Sequence, residues 1–140
     1  MGTSAAAPAS NSDVKWRATV IYRRDDEILF VRKRKSKWNL PGGRVERGES
    51  PMQAALREMQ EETGLEFNSL KYVSRYQENA VVHFLFEARR TLAKKPRPRN
   101  EIDACRWLSV KQMGKRKVRG PIRALLRRCG SDLDQKITLH

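Results

Sequence analysis

The stretch that decides the fold is GRVERGESPMQAALREMQEETGL, residues 43–65. Its middle predicts a helix over about Pro51–Thr63, because Ser50 offers a capping hydroxyl and Gln53 can complete a capping box. The proline at the first helical position supports the same start, and Gly64 supplies the C-terminal cap. Apolar residues recur at helical spacing on the face expected to pack on the core: Met52, Ala55, Leu56 and Met59.

The same helix carries a cluster of carboxylates. At roughly 100° per residue, Glu58, Glu61 and Glu62 share one face, on the side away from the apolar residues. Like charges at three- and four-residue spacing repel each other, whereas a hard divalent cation with oxygen ligands would hold them together. A solvated acidic face is the ordinary alternative for a charge cluster. The neighbouring sequence favours the metal site.

That neighbouring sequence resembles the Nudix signature, G-x5-E-x7-R-E-U-x-E-E-x-G-U, where U is a bulky aliphatic residue. Every fixed position is matched, by Gly43, Glu49, Arg57, Glu58, Met59, Glu61, Glu62, Gly64 and Leu65. A chance match in a chain of this length has a probability on the order of 10⁻⁸. WNLPGG before this box, and Glu101 with Trp107 after it, are similar to the MutT branch of the family. The resemblance covers most of residues 16–108.

The resemblance implies an α/β fold, the Nudix α/β/α sandwich with a mixed β-sheet between helices. It implies a metal site for Mg²⁺, with Mn²⁺ as the alternative. The implied ligands are the carboxylates of Glu58, Glu61, Glu62 and Glu101 and the carbonyl oxygen of Gly43.

Catalytic roles also follow from the resemblance. Glu58 is the implied general base, with Glu101 as the second choice. Arg57 and Glu49 are similar to an ion pair that orients the carboxylates. The implied reaction is metal-dependent hydrolysis of a pyrophosphate bond in a nucleoside diphosphate derivative, with water as the nucleophile.

Substrate markers lie downstream of the signature in some branches of the family. A proline about fifteen residues beyond Leu65 is typical of ADP-ribose enzymes, and a slightly later tyrosine is typical of dinucleoside polyphosphate enzymes. Near those positions this chain has Ala80, Val82, His83 and Phe84. Neither marker is present, which favours a (d)NTP or a related nucleotide as the substrate.

Other candidate substrate contacts have two interpretations each. Arg32 and Lys33 end a predicted strand, where similar proteins present a cation to the substrate, but an exposed basic strand end is the alternative. Trp38 could stack on a base or pack beneath the Pro-Gly-Gly loop. His83 is assigned no role, and Cys105 is predicted to be a small buried thiol.

The net charge is +14, and a field of that sign concentrates nucleotides, polyphosphates or nucleic acid. No acidic residue interrupts a basic C-terminal stretch made of Lys111, Lys115, Arg116, Lys117, Arg119, Arg123, Arg127 and Arg128. It is either a solvated surface or a platform for a polyanion. Two alternative functions therefore stay open: an RNA 5′-end pyrophosphohydrolase, and a non-catalytic Nudix-like sensor of nucleotides or nucleic acid. The intact glutamates count against the sensor.

A chain of 140 residues predicts one domain, at 14–130, between a disordered tail at 1–13 and a C-terminal tail at 131–140. No apolar run approaches the roughly 20 residues of a membrane span, so no membrane association is expected. Cys105 and Cys129 form no disulfide or zinc pattern, which favours the reducing cytoplasm. The sequence gives no indication of the oligomeric state.

The remaining sequence predicts mainly strands. KWRATVIYR (15–23) and EILFVRK (27–33) are typical of a hairpin, and three further strands are predicted in LKYVSRYQ (70–77), AVVHFLFEA (80–88) and ACRWLSV (104–110). The Pro-Gly-Gly triplet predicts an irregular loop. A closing helix is predicted at residues 121–128, with Ile122, Leu125 and Leu126 facing inward.

Overall fold

The computed structural model describes residues 14–89, 94–120, 122–123 and 126. The tails predicted at residues 1–13 and 131–140 lie outside these ranges. No helix within them has the length and apolar character needed to cross a membrane.

The closing helix predicted at residues 121–128 falls only partly on the described residues. Ile122, Arg123 and Leu126 have helical backbone, and Leu126 is buried as predicted. Ile122 is partly buried against the same cluster of side chains. Leu125 and the rest of this prediction lie outside the described residues.

Strands dominate the described chain. The elements are β1 (Lys15–Arg24), β2 (Glu27–Lys33), β3 (Gly42–Arg44), α1 (Pro51–Thr63), β4 (Lys71–Glu78), β5 (Val81–Ala88), β6 (Ile102–Ser109) and α2 (Val110–Lys115). The predicted hairpin, the three later strands and α1 are all present. Two short elements were not predicted, β3 and α2. The first replaces part of the expected loop because its glycines pair with β1.

The sheet is mixed, with strand order β4-β5-β1-β2-β6 and β3 added beside β1. β1 runs parallel to β5, whereas the other pairings are antiparallel. β1 pairs with β2 only at its end, through Arg23 and Arg24, while its first half pairs with β3. β1 and β2 therefore diverge, and β3 pairs with the part of β1 that β2 leaves open.

Helices cover both faces of the sheet. On one face, Ala54, Ala55 and Met59 of α1 pack on a cluster that includes Val20 and Phe84. On the other face, Met113 of α2 and Leu126 pack in a second cluster. Alternate residues of β1 supply the two clusters, as the two-residue period of a strand requires. The predicted α/β fold with a mixed sheet between helices is confirmed.

The capping prediction for α1 is confirmed at both ends. The Ser50 hydroxyl accepts a hydrogen bond from the Gln53 backbone N–H at 3.1 Å, and the Gln53 side chain accepts one from the Ser50 N–H at 2.8 Å. Gly64 adopts the left-handed conformation, with φ of 75°. These caps fix where the helix begins and ends, and so fix which face its glutamates occupy.

Candidate metal centre

Two glycines of β3 bring the backbone against the acidic face of α1. A side chain on Gly43 would overlap the carboxylate of Glu58, and one on Gly42 would overlap the backbone carbonyl oxygen of Ala18. Gly42 also has φ of 152°, a conformation that other residues rarely adopt. The Glu58 carboxylate can lie directly against this backbone because Gly43 lacks a side chain, and β3 can approach β1 closely because Gly42 lacks one.

Glu62 lies in the interior beside these glycines. Its side chain is buried and accepts a hydrogen bond from the Gly42 backbone N–H at 2.9 Å. Burial raises the pKa of Glu62 to about 8, although the Gly42 hydrogen bond acts in the opposite direction. The charges of Glu58 and Glu101 raise it further. The position therefore disfavours a bare negative charge.

Glu58 lies next to it in a similar environment. Burial raises the pKa of Glu58 to about 7, the Arg57 charge opposes this rise, and Glu61 and Glu101 add to it. Two neighbouring carboxylates thus have pKa values in the neutral range. A divalent cation would supply the positive charge that this arrangement lacks.

Arg57 organises the outer side of the cluster. Its Nε and Nη2 donate to the two carboxylate oxygens of Glu49 at 2.7 and 3.0 Å. Its Nη1 donates to Glu61 at 3.1 Å, and its Nη2 also donates to the Arg44 carbonyl oxygen at 3.1 Å. The Glu49 hydrogen bonds raise the pKa of Arg57, and the same bonds lower the pKa of Glu49. The ion pair predicted from the sequence is present and ties β3 to α1.

Glu101 reaches the cluster through the loop before β6. Carbonyl oxygens in the last turn of α1 accept hydrogen bonds from the backbone N–H of Arg97 and Arg99, at 2.9 and 3.1 Å. The Asn100 side chain donates to the Glu61 carbonyl oxygen at 2.7 Å. Because this loop satisfies helix carbonyls that lack intrahelical partners, Glu101 is held near the acidic face of α1.

The predicted ligands therefore share one region, between β3, α1 and the loop before β6. Glu61 is engaged by Arg57, and the exposed Glu101 forms an ion pair with Lys33 at 3.3 Å. Among the described residues, no three acidic, histidine or cysteine side chains already form a closed metal-binding group. The roles of Glu58, Glu61, Glu62, Glu101 and the Gly43 carbonyl oxygen as ligands stay a prediction.

A cavity of about 440 Å³ opens beside Glu62 and Gly42. Lys33 lines it, in agreement with a substrate contact, but Arg32 does not. Arg32 instead lies over the ring of Trp38, at 4.6 Å from its centroid. Trp38 is only 3% exposed and belongs to the core, so the structure contradicts base stacking and favours the packing interpretation. The assignment of Trp38 to base stacking is therefore corrected, whereas the role of Arg32 in substrate binding stays a prediction.

Several residues of this cavity were not singled out from the sequence as site residues. Arg17, Asn39 and Arg119 line it together with Lys33, Lys35 and Lys37. The sequence did indicate an unusual environment for Arg17, because the two-residue period of β1 places this arginine on the same face as the buried Ile21. Arg119 was noted only as one member of the basic C-terminal stretch.

Two further residues from the sequence analysis, His83 and Cys105, are outside the predicted set of ligands and catalytic groups. His83 stacks on Tyr76, with ring centroids 4.7 Å apart, and burial lowers its pKa. Cys105 is a partly buried free cysteine, and burial raises the pKa of its thiol to about 11. It is therefore protonated at neutral pH and gives no reactive thiolate.

Comparison with known proteins gives consistent results. A family model described as "NUDIX domain" matches residues 14–129. Phosphatase NudJ of Shigella boydii is 32% identical over 103 residues, which is 68% of this chain and 67% of that protein, and NudJ of Escherichia coli K12 is 31% identical over the same shares. Together these matches cover the whole acidic cluster.

Solved structures also resemble this chain. A nudix hydrolase family member from Chromobacterium violaceum superimposes with a TM-score of 0.74 and 31% identity, over 93% of this chain and 92% of that one. A MutT protein from Methanosarcina mazei Go1 superimposes with a TM-score of 0.70 over 88% of this chain and 97% of that one. Because the two sequences are only 21% identical, this match shows similarity of fold alone.

Proposed function

The chain belongs to the Nudix hydrolase family, whose members act on pyrophosphate bonds, and from that premise we propose that it hydrolyses a (d)NTP or a related nucleotide with Mg²⁺. One observation carries the proposal. Two carboxylates with raised pKa values, the partly buried Glu58 and the buried Glu62, lie beside the glycines of β3, and Glu62 lines a cationic cavity. We also expect the enzyme to work in the reducing cytoplasm, which suits the free thiol of Cys105.

The donor set suits a hard cation, because every predicted ligand is an oxygen. Glu58, Glu61, Glu62, Glu101 and the Gly43 carbonyl oxygen would hold it. Mg²⁺ is proposed and Mn²⁺ is the alternative, since Nudix hydrolases generally use divalent cations. When bound, the cation acts as a Lewis acid that neutralises phosphate oxygens and lowers the pKa of water.

The protein's own residues supply the remaining functions. Glu58 accepts the proton of the attacking water, and Glu101 is the second candidate for this role. Glu58 suits it better because it is partly buried, with a pKa near neutrality, whereas Glu101 is exposed and paired with Lys33. Arg57 and Glu49 hold the cluster in orientation without contacting the reacting atoms.

The cavity supports a phosphate-rich substrate. Its cations are Arg17, Lys33, Lys35, Lys37 and Arg119, against a single carboxylate, Glu62. Its volume of about 440 Å³ lies within the range typical of small-molecule sites, roughly 300–1,000 Å³. A nucleoside triphosphate matches both the charge and the size.

A second candidate substrate, the 5′ end of an RNA, is favoured by an adjoining cleft. Lys37 lines both the first cavity and this cleft of about 590 Å³, which is also lined by Arg116, Lys117 and Arg123. A longer phosphate chain could follow this basic path. A non-catalytic sensor is not proposed, because every glutamate of the signature is present.

The test is the release of phosphate or pyrophosphate, with Mg²⁺ and with EDTA, from a panel of substrates. The panel contains dNTPs, NTPs, ADP-ribose, diadenosine polyphosphates and 5′-triphosphorylated RNA. We expect metal-dependent turnover, greatest on a (d)NTP. Greatest turnover on RNA, with a steep loss of binding as salt is added, would support the second candidate. Tight nucleotide binding without any turnover would overturn both.

A further inference from the structure

Two arginines from distant parts of the chain meet in the cavity beside the metal centre. Arg17 is on β1, on the face opposite α1, and is partly buried. Arg119 follows α2 and reaches the cavity from its exposed rim. Glu62 and Gly42 line the same cavity, so the two guanidinium groups and the metal centre open into one space.

Arg119 is held in place by backbone hydrogen bonds. Its N–H donates to the Trp38 carbonyl oxygen at 2.9 Å, and the Trp38 N–H donates to the Lys117 carbonyl oxygen at 2.7 Å. Arg123 secures the same segment from behind, since its Nη2 donates to the carbonyl oxygens of Met113 and Arg116 at 3.0 and 2.7 Å. Arg123 is therefore a positioning residue, and Arg119 is presented from a fixed backbone.

The arrangement is costly without a ligand. Within the described residues, the Arg17 guanidinium makes no hydrogen bond and no ion pair, although it is partly buried. Burial lowers the pKa of Arg17, and the nearby charge of Arg119 lowers it further. The charges of Glu58 and Glu62 act in the opposite direction, each less strongly. Two like charges in a partly desolvated cavity oppose folding, and a bound anion would offset that cost.

Building on the proposed function, we propose that Arg17 and Arg119 form an anion-binding pair that holds a phosphoryl group beyond the diphosphate at the metal centre. The consequence is a preference for nucleoside triphosphates over diphosphate derivatives. Guanidinium groups suit this task because their planar donors match phosphate oxygens and keep their charge at every physiological pH. The nearby Lys33 is already shared with Glu101. The exposed Lys35 and Lys37 also line the cavity, but an ammonium group is a point charge without the paired planar donors of a guanidinium.

The first experiment measures binding of inorganic tripolyphosphate and pyrophosphate in EDTA at low ionic strength by isothermal titration calorimetry. The variants are Arg17→Gln and Arg119→Gln. Arg75→Gln is the matched control, because Arg75 is exposed on β4 at the opposite end of the sheet. We expect each site variant to weaken the binding of both anions by about tenfold or more, as for a charged hydrogen bond, because without metal both anions depend on the arginines. Equal binding by the parent and the two site variants would overturn the pair.

A second measurement separates binding from structural support. Arg17→Gln should raise KM for the best triphosphate about tenfold with little change in kcat, because the pair touches no reacting atom. Its melting temperature without ligand should be unchanged or higher, since a costly charge has been removed. A large fall in melting temperature would instead identify Arg17 as a structural residue and overturn the inference.

The two proposals fail in different ways. If the parent hydrolyses a triphosphate but both variants bind the anions as tightly as the parent, the arginine pair is ruled out and the proposed hydrolase activity stands. If the variants bind the anions more weakly but the parent hydrolyses no member of the panel, the proposed substrate is ruled out. The pair would then be an anion site whose substrate lies outside the panel.

Discussion

Glu62 and Glu87 are both buried glutamates, but their surroundings differ. Glu87 on β5 is 1% exposed, accepts a hydrogen bond from Arg23 Nε at 2.7 Å and forms an ion pair with Arg89. Glu62 on α1 is 5% exposed, and its carboxylate accepts a hydrogen bond from the Gly42 backbone N–H at 2.9 Å. The fold supplies positive charge to Glu87, whereas the proposed metal ion would supply it to Glu62.

The difference distinguishes a charge that stabilises the fold, at Glu87, from a charge that is proposed to take part in the reaction, at Glu62. A buried carboxylate is costly unless a partner offsets the loss of water, and guanidinium groups do this for Glu87. At Glu62 burial dominates, so its pKa rises to about 8. A perturbed carboxylate beside a cavity is typical of a functional site.

The sharpest test of this contrast is Glu62→Gln. The substitution preserves volume and removes one charge, so we expect kcat to fall on the order of 10²–10³-fold, as when one preorganised electrostatic group is lost. The melting temperature of the metal-free protein should be unchanged or higher. Glu66→Gln, an exposed neighbour just after the helix, controls for net charge. Unchanged turnover in Glu62→Gln would remove this residue from the metal site.

Glu87→Gln should lower stability and leave kcat nearly unchanged, the reverse of the result expected for Glu62→Gln. Breaking a buried ion pair is expected to lower the free energy of unfolding by about 3 kcal/mol, while kcat per folded molecule stays near that of the parent. Urea denaturation measures the first quantity and active-site titration the second. The comparison variant is Glu27→Gln, whose more exposed pair with Arg24 should contribute less than about 1 kcal/mol. Similar losses from both variants would contradict the view that Glu87 is a structural charge.

Arg57→Lys tests the layer that supports the metal centre. Lysine keeps the charge but cannot reproduce the two parallel hydrogen bonds to Glu49, so kcat/KM should fall about 10- to 100-fold, with weaker Mg²⁺ binding. Adding Glu49→Gln should cost little more, because both changes remove the same interaction. Additive losses in the double variant would mean that the two residues act independently.

The smallest expected effect is a pH dependence. Burial raises the pKa values of Glu58 and Glu62 to about 7 and 8, above the ordinary value of 4.5. Protonated carboxyls therefore favour the folded metal-free protein at low pH, and this stability is lost as pH rises through 7 and 8. Mg²⁺ competes with those protons, so the rise in melting temperature that it causes should be larger at pH 8.5 than at pH 6. A Glu62→Gln protein should show a flatter dependence, and an equal shift at both pH values in the parent would contradict the role of burial.

Much of the candidate site could be predicted because most of its residues lie within one short stretch of the chain. Ser50, Gln53 and Gly64 define the ends of α1, and helical geometry then assigns the glutamates to one face. β3 could not be predicted in this way, since three residues of Gly-Gly-Arg carry no alternation of apolar and polar side chains. It exists because β1 offers an unpaired edge where it diverges from β2.

The sequence by itself determined the family, the span of α1 and the spacing of its carboxylates, because these depend on residues within a few positions of one another. Only the tertiary structure decided that Trp38 is buried beneath Arg32, and that Arg17 and Arg119 share a cavity with Glu62. Burial and the distance between charges depend on which remote segments the fold brings together. Those two quantities set the pKa values and the charge of the cavity, and so they separate the charges that hold the protein together from those proposed to act on a substrate.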